Sequence, residues 1–336
     1  MIPTTFLLII GSIFTSTALI LTIKQVMTNY SFGCPTFLTS FHFLLTFCLL
    51  YVMGKLRFFE ISHNVPQKLC WIQGFFGVLS IVAMNFNLKM NSIGFYQLSK
   101  LCNIPCMVIY KYFFQNTKTP SNTLFSLGIL LVGLCLFTVN DVQFNALGTI
   151  VAAVAVVATT IYQSQTQGLQ RQFSVTGTQL NYLVGVPQFT ICIIAGIIIE
   201  TSGSNSIFIH DFQSTEILLI IATGLLAVLG NVIGFSLIGK AGPVTFQVVG
   251  HVKTMLIFIF GLIMFPSRQE SSEQFKKKIF GLCISMVGVI FYTVFELRNK
   301  EAERIRNLRK QEEEEAKENI IVNKAPDEIF KEASEK

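Results

Sequence analysis

Charged residues are scarce in this chain of 336 residues. Only 13% of its positions are Asp, Glu, Lys or Arg, whereas 51% are hydrophobic. Soluble globular domains carry about a quarter of their residues as charges, so the composition excludes that class. The formal net charge of +6 is scattered over the connections and the C-terminal end. It therefore gives no basic patch for a nucleic acid.

Patterns for metals, disulfides and catalysis are also missing. The eight cysteines include no Cys-x-x-Cys pair, and the four histidines show no ligand spacing. The sequence contains no phosphate-binding P-loop and no nucleophile–base pair. It therefore predicts neither an enzyme nor a protein with a metal or another cofactor.

The N-terminal region lacks the features of a targeting peptide. It has no basic segment followed by a cleavage site, and no Arg- and Ser-rich transit sequence. We expect the first apolar segment to be retained and the protein not to be addressed to a plastid.

Long apolar segments recur along most of the chain. About 20 apolar residues cross a bilayer core as a helix. The candidate segments are residues 4–23, 36–53, 69–88, 93–114, 123–139, 146–164, 179–199, 216–238, 243–265 and 278–296. The predicted fold is an all-α membrane protein with ten transmembrane helices.

The two halves of the membrane portion resemble each other. Residues 132–141 align with residues 287–296 without a gap, and a shorter match recurs at an offset of roughly 150 residues. Five helices per half is an odd number, so the second half must enter the membrane inverted, as in many transporters. The predicted units are a transporter domain over 1–299, with repeat one at about 4–140 and repeat two at about 145–298, and a charged tail over 300–336. The distribution of Lys and Arg favours cytosolic termini and a cytosolic tail.

Two lysines lie inside apolar segments whose interiors contain no Asp or Glu. Lys100 is in the fourth segment of the first half, and Lys253 is in the fourth segment of the second half. A buried ammonium costs roughly 2.5–3.5 kcal/mol on insertion scales and marks a functional site. With no carboxylate at the same depth, the natural counter-ion is an anionic ligand.

Aromatic residues accompany both lysines at helical spacing. Tyr96 precedes Lys100 by four residues, and Phe246 precedes Lys253 by seven, so each ring shares a helical face with an ammonium. A ring beside a cation suits a ligand that has a flat base and phosphates. The other residues predicted to line the site are Gln97, Gln247, Gly250, His251, Asn85, Tyr182 and Asn231.

Each of these residues also has a structural interpretation. A lysine can extend along its aliphatic stem to the membrane surface, and Lys100 can do so more readily than Lys253 because it is nearer the start of its segment. The rings can be packing residues, Gly250 can be a helix contact, and the polar residues can form hydrogen bonds between helices. The sequence leaves these alternatives open.

Three motifs carry a resemblance to a known family. They are residues 91–100 (NSIGFYQLSK), residues 141–148 (DVQFNALG) and residues 242–253 (GPVTFQVVGHVK). Over about residues 4–298 the chain resembles the nucleotide-sugar and triose-phosphate transporter family, within the drug/metabolite transporter superfamily. It most resembles the subgroup of solute carrier family 35 member E3.

The resemblance implies ten helices in two inverted repeats that alternate access across a Golgi or ER membrane. It also implies exchange of a cytosolic nucleotide sugar for a lumenal nucleoside monophosphate, with Lys100 and Lys253 matching the phosphate-binding lysines of the family. The motifs of GDP-mannose carriers are missing, and Thr254 stands where triose-phosphate carriers have a basic residue. Both departures favour a UDP-sugar as the cargo.

Three further possibilities stay open from the sequence. One is a carrier of a small phosphorylated metabolite, such as a sugar phosphate or phosphoenolpyruvate. Another is a non-transporting membrane scaffold or regulator that recruits partners through the tail. A homodimer is open as the assembly in the lipid bilayer.

Overall fold

Helices make up the regular secondary structure of the part of the chain that the structure describes, which contains no strand. The computed structural model describes residues 4–61, 64–91, 96, 99–138, 146–201, 207–264, 273, 276–277, 279–299, 301–303, 305–306 and 308–309. The third sequence motif lies wholly within these residues, the first does so in part, and the second lies mostly outside them.

The helices follow the predicted apolar segments. They are α1 (Thr4–Asn29), α2 (Pro35–Lys55), α3 (Gln67–Met90), α4 (Asn103–Phe114), α5 (Ser121–Thr138), α6 (Ala146–Gln172), α7 (Gly177–Glu200), α8 (Ser214–Ala241), α9 (Pro243–Met264) and α10 (Ile279–Glu303). Within the described residues, seven are long and apolar enough to cross a membrane, namely α1, α2, α3, α6, α7, α8 and α10. The prediction of an all-α, multi-pass membrane protein is confirmed at this level.

The outer surface is apolar, and polar side chains point inward. Phe14 on α1 is 71% exposed and Ile198 on α7 is 73% exposed, whereas Gln73 and Thr166 are completely buried. A soluble protein would not expose so many large apolar side chains. In lipid, polar side chains are retained where they can hydrogen-bond between helices. The distribution therefore suits a protein surrounded by acyl chains.

The fourth predicted segment is interrupted just after Lys100. Residues 99–101 are helical, Cys102 forms a turn whose N–H donates to the carbonyl of Ser99 at 3.1 Å, and α4 then begins. Pro105 has no N–H to donate to the carbonyl four residues earlier, which accounts for the interruption. Lys100 is therefore placed beside irregular backbone within the fold.

The junction between α8 and α9 depends on a glycine. Gly242 has a φ of +94°, in the region that residues with a Cβ rarely adopt, and its N–H donates to the carbonyl of Ile238 at 2.9 Å. Pro243 follows as the first residue of α9, where its missing N–H removes no helical hydrogen bond. This tight junction fixes where α9 starts, and Lys253 lies ten residues further on.

A carboxylate at the end of α7 caps the N-terminus of α2. Both oxygens of the buried Glu200 accept backbone N–H groups of α2, from Thr36 at 2.7 Å and from Phe37 at 2.9 Å. Negative charge is favourable at a helix N-terminus because the unpaired N–H groups and the helix dipole point toward it. Glu200 thereby joins α7 to α2, and it lies at a helix end, far along the chain from either lysine segment.

An apolar cluster holds the two lysine-bearing regions together. Ile104 and Met107 of α4 pack with Leu130 of α5, Val248 of α9 and Leu282 of α10. Ile104, Met107 and Leu130 have no exposed surface. The cluster fixes α4 against α9 and so sets the relative positions of the Lys100 and Lys253 backbones.

Packing between helices is paired across the two halves of the chain. α3 packs on α6 while α8 packs on α1, α3 packs on α7 while α8 packs on α2, and α4 packs on α6 while α9 packs on α1. In each pair, the second contact is the first one with every helix replaced by its counterpart in the other half: α1 by α6, α2 by α7, α3 by α8 and α4 by α9. The helix contacts of the two halves therefore correspond pair by pair.

Candidate functional site

Lys253 is buried against two hydroxyl groups of α1. Its side chain is 9% exposed, and Nζ donates to Oγ of Ser12 at 2.8 Å and to Oγ of Ser16 at 2.9 Å. The two serines are four residues apart, so they share one face of α1. The ammonium therefore points into the helix bundle, and the alternative in which Lys253 extends to the membrane surface is wrong.

The hydroxyls satisfy hydrogen bonds of Lys253 without neutralising its charge. Among the described residues, the side chains of opposite charge type that contact each other are His210 and Glu216, away from Lys253. An ammonium has three N–H donors, and the two serines account for two of them. Among the described residues, the Lys253 ammonium therefore has no counter-charge, and one of its N–H donors has no acceptor.

The face of α9 that carries Lys253 also carries Phe246 and Gly250. The ring of Phe246 lies 5.7 Å from Nζ of Lys253, measured to its centroid, and packs against the apolar cluster of Leu237, Ala241 and Val249. A Cβ built on Gly250 meets no described heavy atom within 4 Å. Among the described residues, nothing fills the position beside Gly250.

Lys100 has a different environment. Its Nζ lies 4.4 Å from the centroid of the Tyr96 ring, within the range of a cation–π interaction, and its side chain is half-buried. Leu101, the next residue along the chain, lies in the same apolar cluster as Val248 of α9, so α9 adjoins both lysine-bearing regions.

A buried amide network supports the backbone beside Lys100. Asn87 of α3, which has no exposed surface, donates to Oγ of Ser99 at 2.7 Å, and Ser99 donates to the carbonyl of Tyr96 at 2.8 Å. Asn91 donates in turn to Oδ1 of Asn87 at 2.8 Å. Asn85, which the sequence singled out, is exposed. The residue that contacts the lysine region from α3 is therefore Asn87.

Two predicted residues of α9 adjoin the polar side of α6. Nε2 of Gln247 donates to Oε1 of Gln163 at 3.0 Å. His251 is 6% exposed, and no described residue forms a hydrogen bond with its Nε2. Gln247 therefore holds α9 to α6, and His251 presents a buried polar atom that a ligand can use.

Two other predicted residues contact α2 instead. Asn231 donates to Oγ1 of Thr46 at 3.2 Å, and Tyr182 stacks on Phe47 with ring centroids 5.3 Å apart. Both arrangements fit the interpretation of these residues as contacts between helices. Gln97 lies outside the described residues.

Sequence reasoning missed Ser12, Ser16 and Gln163. Each is a polar residue in an apolar segment, and Ser12 and Ser16 are spaced as one helical face, so a weak signal was present. Assigning them to the site requires knowing that α1 and α6 both pack beside α9, which only the three-dimensional arrangement gives.

Comparison with known proteins gives relatives that match most of the chain. The model of the Triose-phosphate Transporter family matches residues 5–293. UDP-xylose transporter 1 of Arabidopsis thaliana is 34% identical over 85% of this chain and 84% of its own length. UDP-rhamnose/UDP-galactose transporter 1 of the same plant is 32% identical over 84% of this chain and 80% of its own length.

A solved crystal structure of a protein shares the fold. It superposes with a TM-score of 0.65 at 16% sequence identity and covers 88% of this chain and 98% of the solved chain. The similarity at this level of identity concerns the fold alone. From the apolar helices, the resemblance carried by the sequence motifs and the match over residues 5–293, the chain belongs to the Triose-phosphate Transporter family.

Proposed function

We propose that the protein is an antiporter that exchanges a nucleotide sugar, with a UDP-sugar favoured, for a nucleoside monophosphate by alternating access. The observation that carries this proposal is the buried ammonium of Lys253, which is held by two hydroxyls and no described carboxylate. A dianionic phosphate placed there would supply the missing counter-charge. A charge-assisted hydrogen bond to the third N–H would contribute roughly 1.5–3 kcal/mol.

The two lysines would divide the ligand between the halves of the protein. Lys253 would bind a phosphate from α9, and Lys100 would approach from the other half, with Tyr96 and Phe246 as aromatic neighbours. The open space at Gly250 would admit the ligand between them. Further contacts proposed for the ligand come from Gln97, Gln247, His251, Tyr182 and Asn231.

Alternating access would follow from two inverted five-helix repeats, at about residues 4–140 and 145–298. The helix contacts that are paired between the halves support this division. The lysines belong to the fourth helical region of each half, so a rocking motion of one half against the other would change the distance between them. Anion binding would favour states in which both ammoniums face the same cavity.

The cargo and the location rest on the relatives. The two Arabidopsis proteins at 34% and 32% identity are named for transport of UDP-xylose, UDP-rhamnose and UDP-galactose, which supports a UDP-sugar. We place the protein in the Golgi or ER membrane, with both termini and the tail (300–336) in the cytosol. UDP-sugars would then move from the cytosol into the lumen. A homodimer is compatible with this arrangement.

Exchange by the purified protein in liposomes tests the proposal. Lys253→Ala should abolish the exchange of external UDP-sugar for internal UMP, because the phosphate loses its buried partner. Lys240→Ala is the matched control, since Lys240 is an exposed lysine at the end of α8 whose nearest described partner is Thr4 at 3.5 Å. Full exchange by Lys253→Ala in correctly folded protein would refute the assignment.

Thermal stabilisation by ligands distinguishes a carrier of small phosphorylated metabolites. A nucleotide-sugar carrier should be stabilised by UMP and UDP-sugars more than by a sugar phosphate or phosphoenolpyruvate at equal concentration. The opposite ranking would move the proposal to the alternative substrate class.

Removal of the tail distinguishes a scaffold from a carrier. A chain ending at residue 299 should keep its exchange rate in liposomes, because the lysines and their partners lie within the membrane portion. Loss of exchange in a folded protein of this length would contradict the proposed division into a transporter domain and an appendage.

A further inference from the structure

The polar face of α6 is defined here by Thr160, Gln163, Ser164 and Gln167. These residues are spaced at i, i+3, i+4 and i+7, so they lie on one side of the helix. All four are buried, with exposed fractions between 0% for Ser164 and 7% for Gln163. Such a face in the interior of a membrane protein must be satisfied by neighbouring helices, by water or by a ligand.

The polar face of α6 runs alongside the lysine-bearing part of α9. A Cβ built on Gly242 lies 3.2 Å from Nε2 of Gln167, and Gln247 donates to Gln163. Residue numbers thus fall along α6 as they rise along α9. Continuing this register by one turn brings Thr160 to the level of Gly250 and His251.

Two hydroxyls on this face lack the backbone hydrogen bond that neighbouring threonine hydroxyls of α6 form. Thr159 and Thr166 donate to the carbonyls four residues earlier, at 2.7 Å and 2.8 Å. Oγ1 of Thr160 and Oγ of Ser164 are buried and form no hydrogen bond with any described residue. Leaving a buried hydroxyl unpaired costs about 1–3 kcal/mol, so both groups are suited to bond to a ligand.

The same level of the bundle holds a third unpaired group and an opening. Nε2 of His251 lacks a described partner, and Gly250 faces space within 4 Å of its Cβ position. No Asp, Glu, Lys or Arg belongs to the polar face of α6. Its donors and acceptors are neutral, which suits hydroxyl groups and not phosphates.

We propose that the polar face of α6 binds the sugar of the cargo, with Thr160 and Ser164 as specificity-determining residues beside the lysines that bind phosphate. This inference rests on the proposed function. Hydroxyls that hydrogen-bond a substrate hydroxyl reject analogues that lack it, because the protein group is then left buried and unpaired. The sugar, and not the nucleotide, is therefore distinguished by α6.

Substitution of neighbouring threonines tests the inference. Thr160→Val removes a hydroxyl that has no described partner, so the unliganded protein should be as stable as the wild type or more stable. Its half-saturating concentration for UDP-sugars, measured by thermal stabilisation, should rise about 3- to 10-fold, as the loss of one hydrogen bond predicts. The value for UMP, which lacks the sugar that a UDP-sugar carries on its second phosphate, should not change.

Thr159→Val is the matched control. Its hydroxyl bonds to the carbonyl of Ala155 and lies 2.6 Å from Oγ of Ser80. This variant should lower the stability of the unliganded protein and leave the ranking of UDP-sugars unchanged. Ser164→Ala provides a second variant of the proposed kind, and Thr160→Ser, which keeps the hydroxyl, should keep wild-type affinity.

Other outcomes would overturn the inference in distinguishable ways. Equal changes for UMP and UDP-sugars would assign Thr160 to the nucleotide or phosphate. No change for any ligand would mean that the hydroxyls hold structural water. If the wild-type protein were stabilised by sugar phosphates but by no nucleotide sugar, the proposed function would fail together with this inference.

Discussion

Lys100 and Lys253 occupy corresponding helices of the two halves but have different surroundings. Lys253 is 9% exposed and fixed by two serine hydroxyls at 2.8 Å and 2.9 Å. Lys100 is half-buried, contacts a tyrosine ring at 4.4 Å and lies beside the helix interruption at Cys102. Hydrogen bonds thus hold the Lys253 ammonium in place. The Lys100 ammonium is less buried and lies close to the turn at Cys102.

This difference indicates unequal roles in the proposed exchange. A pre-positioned charge binds a ligand without a further loss of side-chain entropy, so Lys253 is suited to act as the fixed phosphate anchor. Lys100 is less buried, and no described hydroxyl holds its ammonium. A lysine of this kind is suited to follow the ligand as the two halves rock.

Replacing each lysine by arginine is expected to give the largest difference in exchange rate between the two lysine sites. Arginine keeps the charge but carries a larger, planar group. At position 253 it has to displace α1 or lose the two serine contacts, with an overpacking cost of about 1–3 kcal/mol. We expect Lys253→Arg to lose about 5- to 140-fold in exchange rate in liposomes and Lys100→Arg to stay within about 3-fold, given about 1.4 kcal/mol per tenfold change.

Equal losses in the two arginine variants would remove the distinction between the lysines. Lys240→Arg is the control for the substitution itself, because an exposed lysine at a helix end tolerates the larger group. Its exchange rate should match the wild type.

Removing the serine hydroxyls should have an intermediate effect and should be visible in stability. Ser12→Ala combined with Ser16→Ala leaves the buried ammonium of Lys253 without its described acceptors, which costs about 1–3 kcal/mol or more. The unliganded protein should therefore melt at a lower temperature. Because UMP would supply new acceptors, the shift in melting temperature that UMP causes should be larger than in the wild type.

Ser99→Ala is the matched variant on the Lys100 side. Ser99 bonds to Asn87 and to the carbonyl of Tyr96, and not to the lysine. It should lower stability without enlarging the effect of UMP. The same enlargement in both variants would show that it reflects general destabilisation and not the charge of Lys253.

The sequence was sufficient to predict the features that follow from composition and helical spacing. Apolar length predicted the helices, and the charge imbalance predicted the burial of Lys253. The spacing of four residues correctly placed Tyr96 beside Lys100, because both lie on one local stretch of helix.

Contacts between distant helices could not be predicted in this way. Whether Asn85 or Asn87 faces the interior depends on the rotation of α3 about its own axis, and its nearly uniform apolarity gives little indication of that rotation. The partners Ser12 and Gln163 depend on which helices adjoin α9, which is a property of the tertiary fold.

The aromatic neighbours should give the smallest difference between the two lysine sites. The Tyr96 ring lies 4.4 Å from Nζ of Lys100, whereas the Phe246 ring lies 5.7 Å from Nζ of Lys253 and packs against the cluster of Leu237, Ala241 and Val249. A cation–π contact contributes roughly 0.5–1 kcal/mol when partly exposed. Tyr96→Leu should therefore raise the half-saturating UDP-sugar concentration for exchange about 2- to 5-fold, and Phe246→Leu should mainly lower stability.

Tyr96→Phe distinguishes the ring of Tyr96 from its hydroxyl. If the ring positions the Lys100 ammonium and stacks on the base, the phenylalanine variant should exchange like the wild type. If the phenol hydroxyl bonds to the cargo, it should lose as much as Tyr96→Leu, and the two lysines would then differ in hydrogen bonding as well as in burial. A loss of affinity in Phe246→Leu that exceeded the loss in Tyr96→Leu would reverse the assignment, because the packed ring on α9 would then be the one that contacts the ligand.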